Sequence, residues 1–185
     1  MPYTWHLTAS GRYRPLPEVA AAAFIAAARE AGAEVDEAGA HDLASNLAAL
    51  PPYPEVAESL ERLGDRRLAV LSNGTADGVR ALVERAGLGS HFEHLLSVDE
   101  VERFKPAPEA YGLAPRAFAA PAAEVVLVSA HEWDLAGAQA AGLKGALVAR
   151  ETAPTSFLGQ EAEVVVGDLR ELPSALDRFE GRPAD

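Results

Sequence analysis

From residue 66 onward, short apolar runs alternate with helical stretches, and this alternation constrains the fold more than any other feature of the chain. The apolar runs are "RRLAVLSNG" (66–74), "FEHLLSVDE" (92–100), "EVVLVS" (124–129), "KGALVAR" (144–150) and "AEVVVGD" (162–168). Between and after them come "TADGVRALVERAG" (75–87), "APEAYGLAPRAFAA" (107–120), "WDLAGAQAAG" (133–142) and "LRELPSALDRF" (169–179), with a loop separating the last two strands. Runs this short and apolar read as buried strands, and the longer segments as their crossover helices. Strand–helix alternation of this kind predicts an α/β fold with a doubly wound, Rossmann-like parallel sheet, which binds ligands beyond the carboxyl ends of its strands.

The first third reads differently. Residues 18–32 and 37–50 are alanine-rich helices, and "PEVAESLERLG" (54–64) is a third helix that opens with proline and closes at Gly64. The division expected is a helical subdomain over 1–62 and a Rossmann-like core over 63–185.

Composition removes several function classes. With 28 acidic against 16 basic residues the formal charge is −12, which repels a nucleic-acid backbone or an anionic membrane. The chain has no cysteine, so a disulfide framework, a zinc ribbon and a thiol nucleophile are excluded. No signal peptide is visible at the start, and no apolar run is long enough to cross a bilayer. The expectation is a soluble, cytoplasmic protein. Of the 16 basic residues only Lys105 and Lys144 are lysine, so each lysine invites the question of why a compact ammonium was retained.

The polar residues gather where the strands end. The first strand delivers Ser72, Asn73 and Gly74; the third delivers Ser129, His131, Trp133 and Asp134; a loop stiffened by Pro106 and Pro108 carries Lys105, with Tyr111 just beyond. Each loop taken alone has a plain reading, with Asp134 as a helix cap, Trp133 as core and Lys105 as a solvated cation. Three such loops on one rim point to a pocket. A metal site at 129–134 would need His131, Glu132 and Asp134 to converge from a loop–helix junction, and a Ser-His-Asp triad would need a nucleophile elbow that is missing. Neither is expected.

Taken together, "LSNG", "LLSVDEVERFKPAPEAY" and "VSAHEWDLAGAQAAGLKGALVAR" resemble motif regions of the haloacid dehalogenase superfamily, most closely its type II branch, the (S)-2-haloacid dehalogenases. The resemblance covers nearly the whole chain and makes residues 1 to about 60 the helical cap. It implies a hydrolase that attacks the halogen-bearing carbon of a short 2-haloalkanoic acid with an aspartate carboxylate. An ester forms, and water then cleaves it. It assigns Lys105, Ser129, His131 and Asp134 to catalysis and Ser72, Asn73, Tyr111 and Trp133 to substrate binding. His131 stands where many family members carry asparagine. No cofactor and no metal are implied, because the fourth-motif loop runs Ser129-Ala130-His131-Glu132-Trp133-Asp134 where the superfamily phosphatases usually start with Gly-Asp, and one carboxylate at the end of a loop makes a poor Mg²⁺ site. The expected partners are a small 2-haloacid or another small carboxylate and, as a protein partner, a second copy in a homodimer.

One departure sets a further expectation. The family builds its site on a first strand ending in the nucleophilic aspartate, yet the first aspartate here is Asp36, in the linker between two helices. That strand belongs between "RRLAVLS" and "EVVLVS", and without it a slot about 10 Å wide should open there. The readings are an incomplete, inactive dehalogenase, a non-catalytic small-carboxylate binder or scaffold, and, third, a superfamily phosphatase. "YTWHLT" (3–8) is the N-terminal candidate to fill the slot as a strand, although the resemblance makes it helix.

Overall fold

The computed structural model describes residues 2–47, 50–150 and 161–181; the loop after Arg150 and the end of the 37–50 helix fall outside them. Helix α1 (Pro2–Ala9) occupies the stretch weighed as a strand. It is followed by α2 (Leu16–Glu30), α3 (Glu37–Leu47) and α4 (Val56–Arg62). Proline in the first turn of α2 removes a donor that would have no intrahelical partner anyway, and Gly32, at φ +74°, takes the left-handed conformation that ends the helix.

The core follows the predicted order: β1 (Ala69–Ser72), α5 (Ala76–Arg85), β2 (His94–Ser97), α6 (Pro108–Tyr111), α7 (Leu113–Phe118), β3 (Val126–Ser129), α8 (Glu132–Ala140), β4 (Lys144–Val148), β5 (Val164–Val166) and α9 (Leu172–Glu180). Thr75 caps α5 by accepting from the Gly78 N–H. The single helix expected over 107–120 is two, because Pro115 has no N–H to donate to the Tyr111 carbonyl and the chain turns at Gly112.

The described strands form two parallel sheets. One holds β1 and β2 in register Ala69–His94 to Ser72–Ser97, and the other runs β3-β4-β5, with Val126 beside Lys144 and Ala146 beside Val164. The break falls between β1 and β3, where the sequence reading places a further strand. Burial follows the break. Gly145 to Val148 of β4 are buried, whereas all of β1 is half-buried and Val128 of β3 is 39% exposed.

Helices hold the half-sheets together from both faces. Leu71 of β1 and Leu127 of β3 pack against one cluster around Tyr111, Ala114 and Val125. On the other face Leu60 of α4 joins the cluster under β4, β5 and α9 to the one under β1 and α5. Helix α4 is therefore seated on the core. The earlier helices dock elsewhere, through Val19, Leu7 and Tyr13 packed on Val98 and Phe104.

Candidate active site

The carboxyl ends of β1 and β3 meet through one side chain that belongs to neither. The loop after β2 puts Lys105 between them, 8% exposed, with the Asp134 carboxylate beside it at 5%. Its Nζ donates to Asp134 Oδ2 at 3.1 Å, and its backbone N–H donates to Asn73 Oδ1 at 2.9 Å. One residue thus ties the β1 rim to the β3 rim across the break.

Asp134 lies in the first turn of α8, but its carboxylate does not cap that helix. Oδ1 accepts from the Tyr111 hydroxyl at 2.7 Å, and Oδ2 accepts from Ser129 Oγ at 3.0 Å as well as from Lys105. Three donors, one of them a buried cation, satisfy a group that would otherwise be costly to bury. Burial, the bond to Asp134 and the negative charge there all raise the Tyr111 hydroxyl above its ordinary value, so it remains a donor at any working pH. Ser129 Oγ also accepts from the His131 N–H at 3.2 Å.

The β1 loop is shaped by short polar turns. Ser72 Oγ accepts from the Gly74 N–H at 2.9 Å, and Ser97 Oγ donates to the Gly74 carbonyl at 2.7 Å. Since Asn73 spends its oxygen on Lys105, its amide NH₂ is the group left to face a ligand. An aromatic wall stands beside this rim. The exposed His131 ring stacks on Trp133 at 5.8 Å, and Trp5 of α1 meets Trp133 edge-on at 5.9 Å.

Of the eight residues picked from sequence, Lys105, Tyr111, Ser129 and Asp134 form one hydrogen-bonded cluster, and Asn73 joins it through the Lys105 backbone. His131 and Trp133 flank it. Ser72 is next to Asn73 and bonds within its own turn. Among the described residues no group of three or more acidic, histidine or cysteine side chains is arranged to hold a metal ion.

A model of haloacid dehalogenase-like hydrolases matches residues 7–142. The chain belongs to that family. Its similarity to curated haloacid dehalogenases is spread along its length: 34% identity over 166 residues with haloacetate dehalogenase H-2 of Moraxella sp. (strain B), covering 89% of this chain and 74% of that one. With the (S)-2-haloacid dehalogenase of Xanthobacter autotrophicus the identity is 36% over 173 residues, covering 92% and 66%. The solved L-2-haloacid dehalogenase of X. autotrophicus with chloropropionic acid covalently bound superposes with a TM-score of 0.88 at 31% identity, covering 95% of this chain and 81% of that one. This haloacid dehalogenase-like chain thus spans about two thirds to three quarters of the length of these two curated relatives.

Three contributors escaped the sequence reading. Asp99, within the "SVDE" stretch, accepts from the Ala76 N–H at 3.0 Å and, through its other oxygen, from the Tyr13 hydroxyl, linking the N-terminal helices to the β1 loop. Gly137 is a close-approach position, since a Cβ there would lie 2.6 Å from Tyr111 Oη and 2.7 Å from Pro106 Cβ. Trp5 extends the aromatic wall. A small-residue helix, "LAGAQAAG", was the available hint for Gly137; a pairing 86 positions apart, as between Tyr13 and Asp99, leaves none.

Proposed function

We propose that the rim around Lys105 is the dehalogenating site of a type II 2-haloacid dehalogenase, acting on short 2-haloalkanoic acids without a metal. The supporting observation is the position of Lys105, a buried cation held by Asn73 on one side of the sheet break and Asp134 on the other. A carboxylate delivered between β1 and β3 would meet that ammonium, which favours its ionised form. Attack on the halogen-bearing carbon breaks the carbon–halogen bond, releases halide and forms an aspartyl ester. Water then cleaves the ester, regenerating the carboxylate and leaving a 2-hydroxy acid.

The residues divide the work by what they touch. Ser72 binds the substrate carboxylate, and the free NH₂ of Asn73 with the Trp133 face holds the departing halide. Tyr111 and Ser129 fix Asp134, which with His131 orients the hydrolytic water. Residues 1–62 act as the cap and 63–185 as the core, with α4 as the linking helix docked on the core. We place the enzyme in the cytoplasm, as a homodimer.

The second reading is a non-catalytic relative whose rim binds a small carboxylate or serves as a scaffold; the carboxylate of Asp134, held by three donors including Lys105, supports a rim built to hold such a group. Both readings are tested by one comparison. Chloride release from (S)-2-chloropropionate is measured for this chain and for one extended at its N-terminus by an apolar strand ending in aspartate. The extended chain should release chloride and give the inverted 2-hydroxy acid, while the shorter one should only bind. A folded extended chain that turns over no 2-haloacid overturns the dehalogenase assignment.

A further inference from the structure

Helices α1, α2 and α3 pack on one another and touch the core on the stretch after β2 and at the start of α8. After β2 the Phe104 N–H donates to Thr8 Oγ1 at 3.1 Å, and the Tyr13 hydroxyl donates to Asp99. At α8, Trp5 meets Trp133 edge-on at 5.9 Å. The chain itself makes a further connection, where "LPPYPE" (50–55) leads into α4.

Pro51, Pro52 and Pro54 stiffen that linker, and Arg150 holds its remaining side chains. The Arg150 Cζ lies 3.9 Å from the centroid of the Tyr53 ring, and Nη1 is 2.5 Å from Glu55 Oε1. The Arg150 and Glu55 side chains are 22% and 10% exposed, so the ion pair is largely shielded from water, where such contacts count for more. Arg150 is itself fixed, because the Ala149 N–H donates to the Val166 carbonyl at 2.8 Å and carries the β4–β5 pairing up to the residue before it. Tyr53 and Glu55 are fixed to α4: their carbonyls accept from the Val56 N–H at 3.1 Å and the Ser59 N–H at 3.0 Å. The linker is thus held from Tyr53 onward, and any pivot of the N-terminal helices falls before it.

A body docked on one face can still swing about that face, and a second fixed point sets its angle. We propose that Arg150 is a positioning residue, which clamps Tyr53 and Glu55 so that α1–α3 meet the core at the angle that sets Trp5 against Trp133 beside the Lys105 rim. Arginine suits the task because its flat guanidinium stacks on a ring and pairs with a carboxylate at once, whereas a lysine ammonium is a point charge. The proposal concerns how the helices are held, and it stands whichever reaction the rim performs.

The test exploits the fact that Trp5 and Trp133 are the two tryptophans of the chain. The exciton couplet of two indoles in contact, read by circular dichroism, reports their placement, and Trp5→Phe supplies the spectrum without it. Arg150→Ala should lose most of the couplet. In that variant residues 53–58 should exchange amide hydrogens about tenfold faster, the factor that one shielded stack supports, while 144–148 stay unchanged. Tyr53→Phe keeps the ring and should retain the couplet; Tyr53→Ala, at a residue 59% exposed, should lose it without disturbing the core. A full couplet in either alanine variant, equal loss in Tyr53→Phe and Tyr53→Ala, or a wild-type spectrum that Trp5→Phe leaves unchanged overturns the proposal. So does exchange at 144–148 that quickens in Arg150→Ala as much as at 53–58, since Arg150 then only holds the end of β4.

Discussion

Lys105 donates to Asp134 of the other half-sheet at 3.1 Å in a place where neither side chain is more than a tenth exposed, and its backbone N–H donates to Asn73 at the end of β1. This pair fixes the geometry of the rim. Replacing Lys105 by Ala leaves Asp134 with Tyr111 and Ser129 as donors but without its cation. Breaking a buried ion pair costs about 3–5 kcal/mol, and with the two remaining donors the loss should lie near the low end, read by urea denaturation. In a chain extended by the strand described above, the same variant should release no chloride from 2-chloropropionate. Wild-type rates would remove Lys105 from the chemistry.

Gly137 sets how closely α8 approaches Tyr111. A methyl group at Gly137 would stand 2.6 Å from Tyr111 Oη and 2.7 Å from Tyr111 Cε2, inside contact distance. Gly137→Ala should therefore destabilise the fold by about 1–3 kcal/mol, the range for overpacking a filled core. Adding Tyr111→Phe should recover only part of that, because Cε2 and Pro106 Cβ still block the methyl group. Full recovery in the double variant would show that the hydroxyl alone makes the conflict.

The Tyr13–Asp99 contact joins the N-terminal helices to the loop after β1. Tyr13→Phe removes one donor to a charged acceptor and should lower stability by about 1.5–3 kcal/mol. Limited proteolysis should then cut the first thirty or so residues faster than it cuts the core. Asp99→Ala should do more, because the Ala76 N–H at the start of α5 also loses its acceptor. An unchanged proteolytic pattern in both variants would deny the contact a docking role.

Tyr13 and Tyr111 both have hydroxyls raised above the ordinary tyrosine value near 10, chiefly by burial and then by the carboxylates they bond. Above that pH the unfolded chain gives up protons that the folded chain retains, so stability falls as pH rises. Below it both states are protonated and the contribution is complete. Denaturation midpoints should decline from about pH 10 upward, and Tyr111→Phe should make the decline shallower. A decline equally steep in that variant would exclude Tyr111 as its source.

Mg²⁺-dependent phosphatase activity is not expected. The loop after β3 offers one buried carboxylate, Asp134, and its oxygens already accept from Lys105, Tyr111 and Ser129. Mg²⁺ requires several hard oxygen ligands in octahedral order. Hydrolysis of p-nitrophenyl phosphate that a chelator abolishes would refute this.

The sequence by itself determined most of the strands and helices of the core, though not the division of the 107–120 helix into two. Periodicity and capping are local properties, and a run such as "VVLV" followed by "SAHEWD" carries both its strand and its polar end in a few consecutive residues. It also determined the side of the sheet on which the polar loops gather, because in a parallel sheet every carboxyl end faces the same rim. What only the tertiary structure decided is how those loops engage. The bonds from Lys105 to Asp134, from Tyr111 to Asp134 and from Tyr13 to Asp99 join residues 29, 23 and 86 positions apart. Such distances leave no periodic trace, because they are set by how helices pack across two half-sheets and not by the chain's local preferences. The same packing brings Leu71 and Leu127 onto one cluster although their strands, paired with β2 and β4, do not pair with each other.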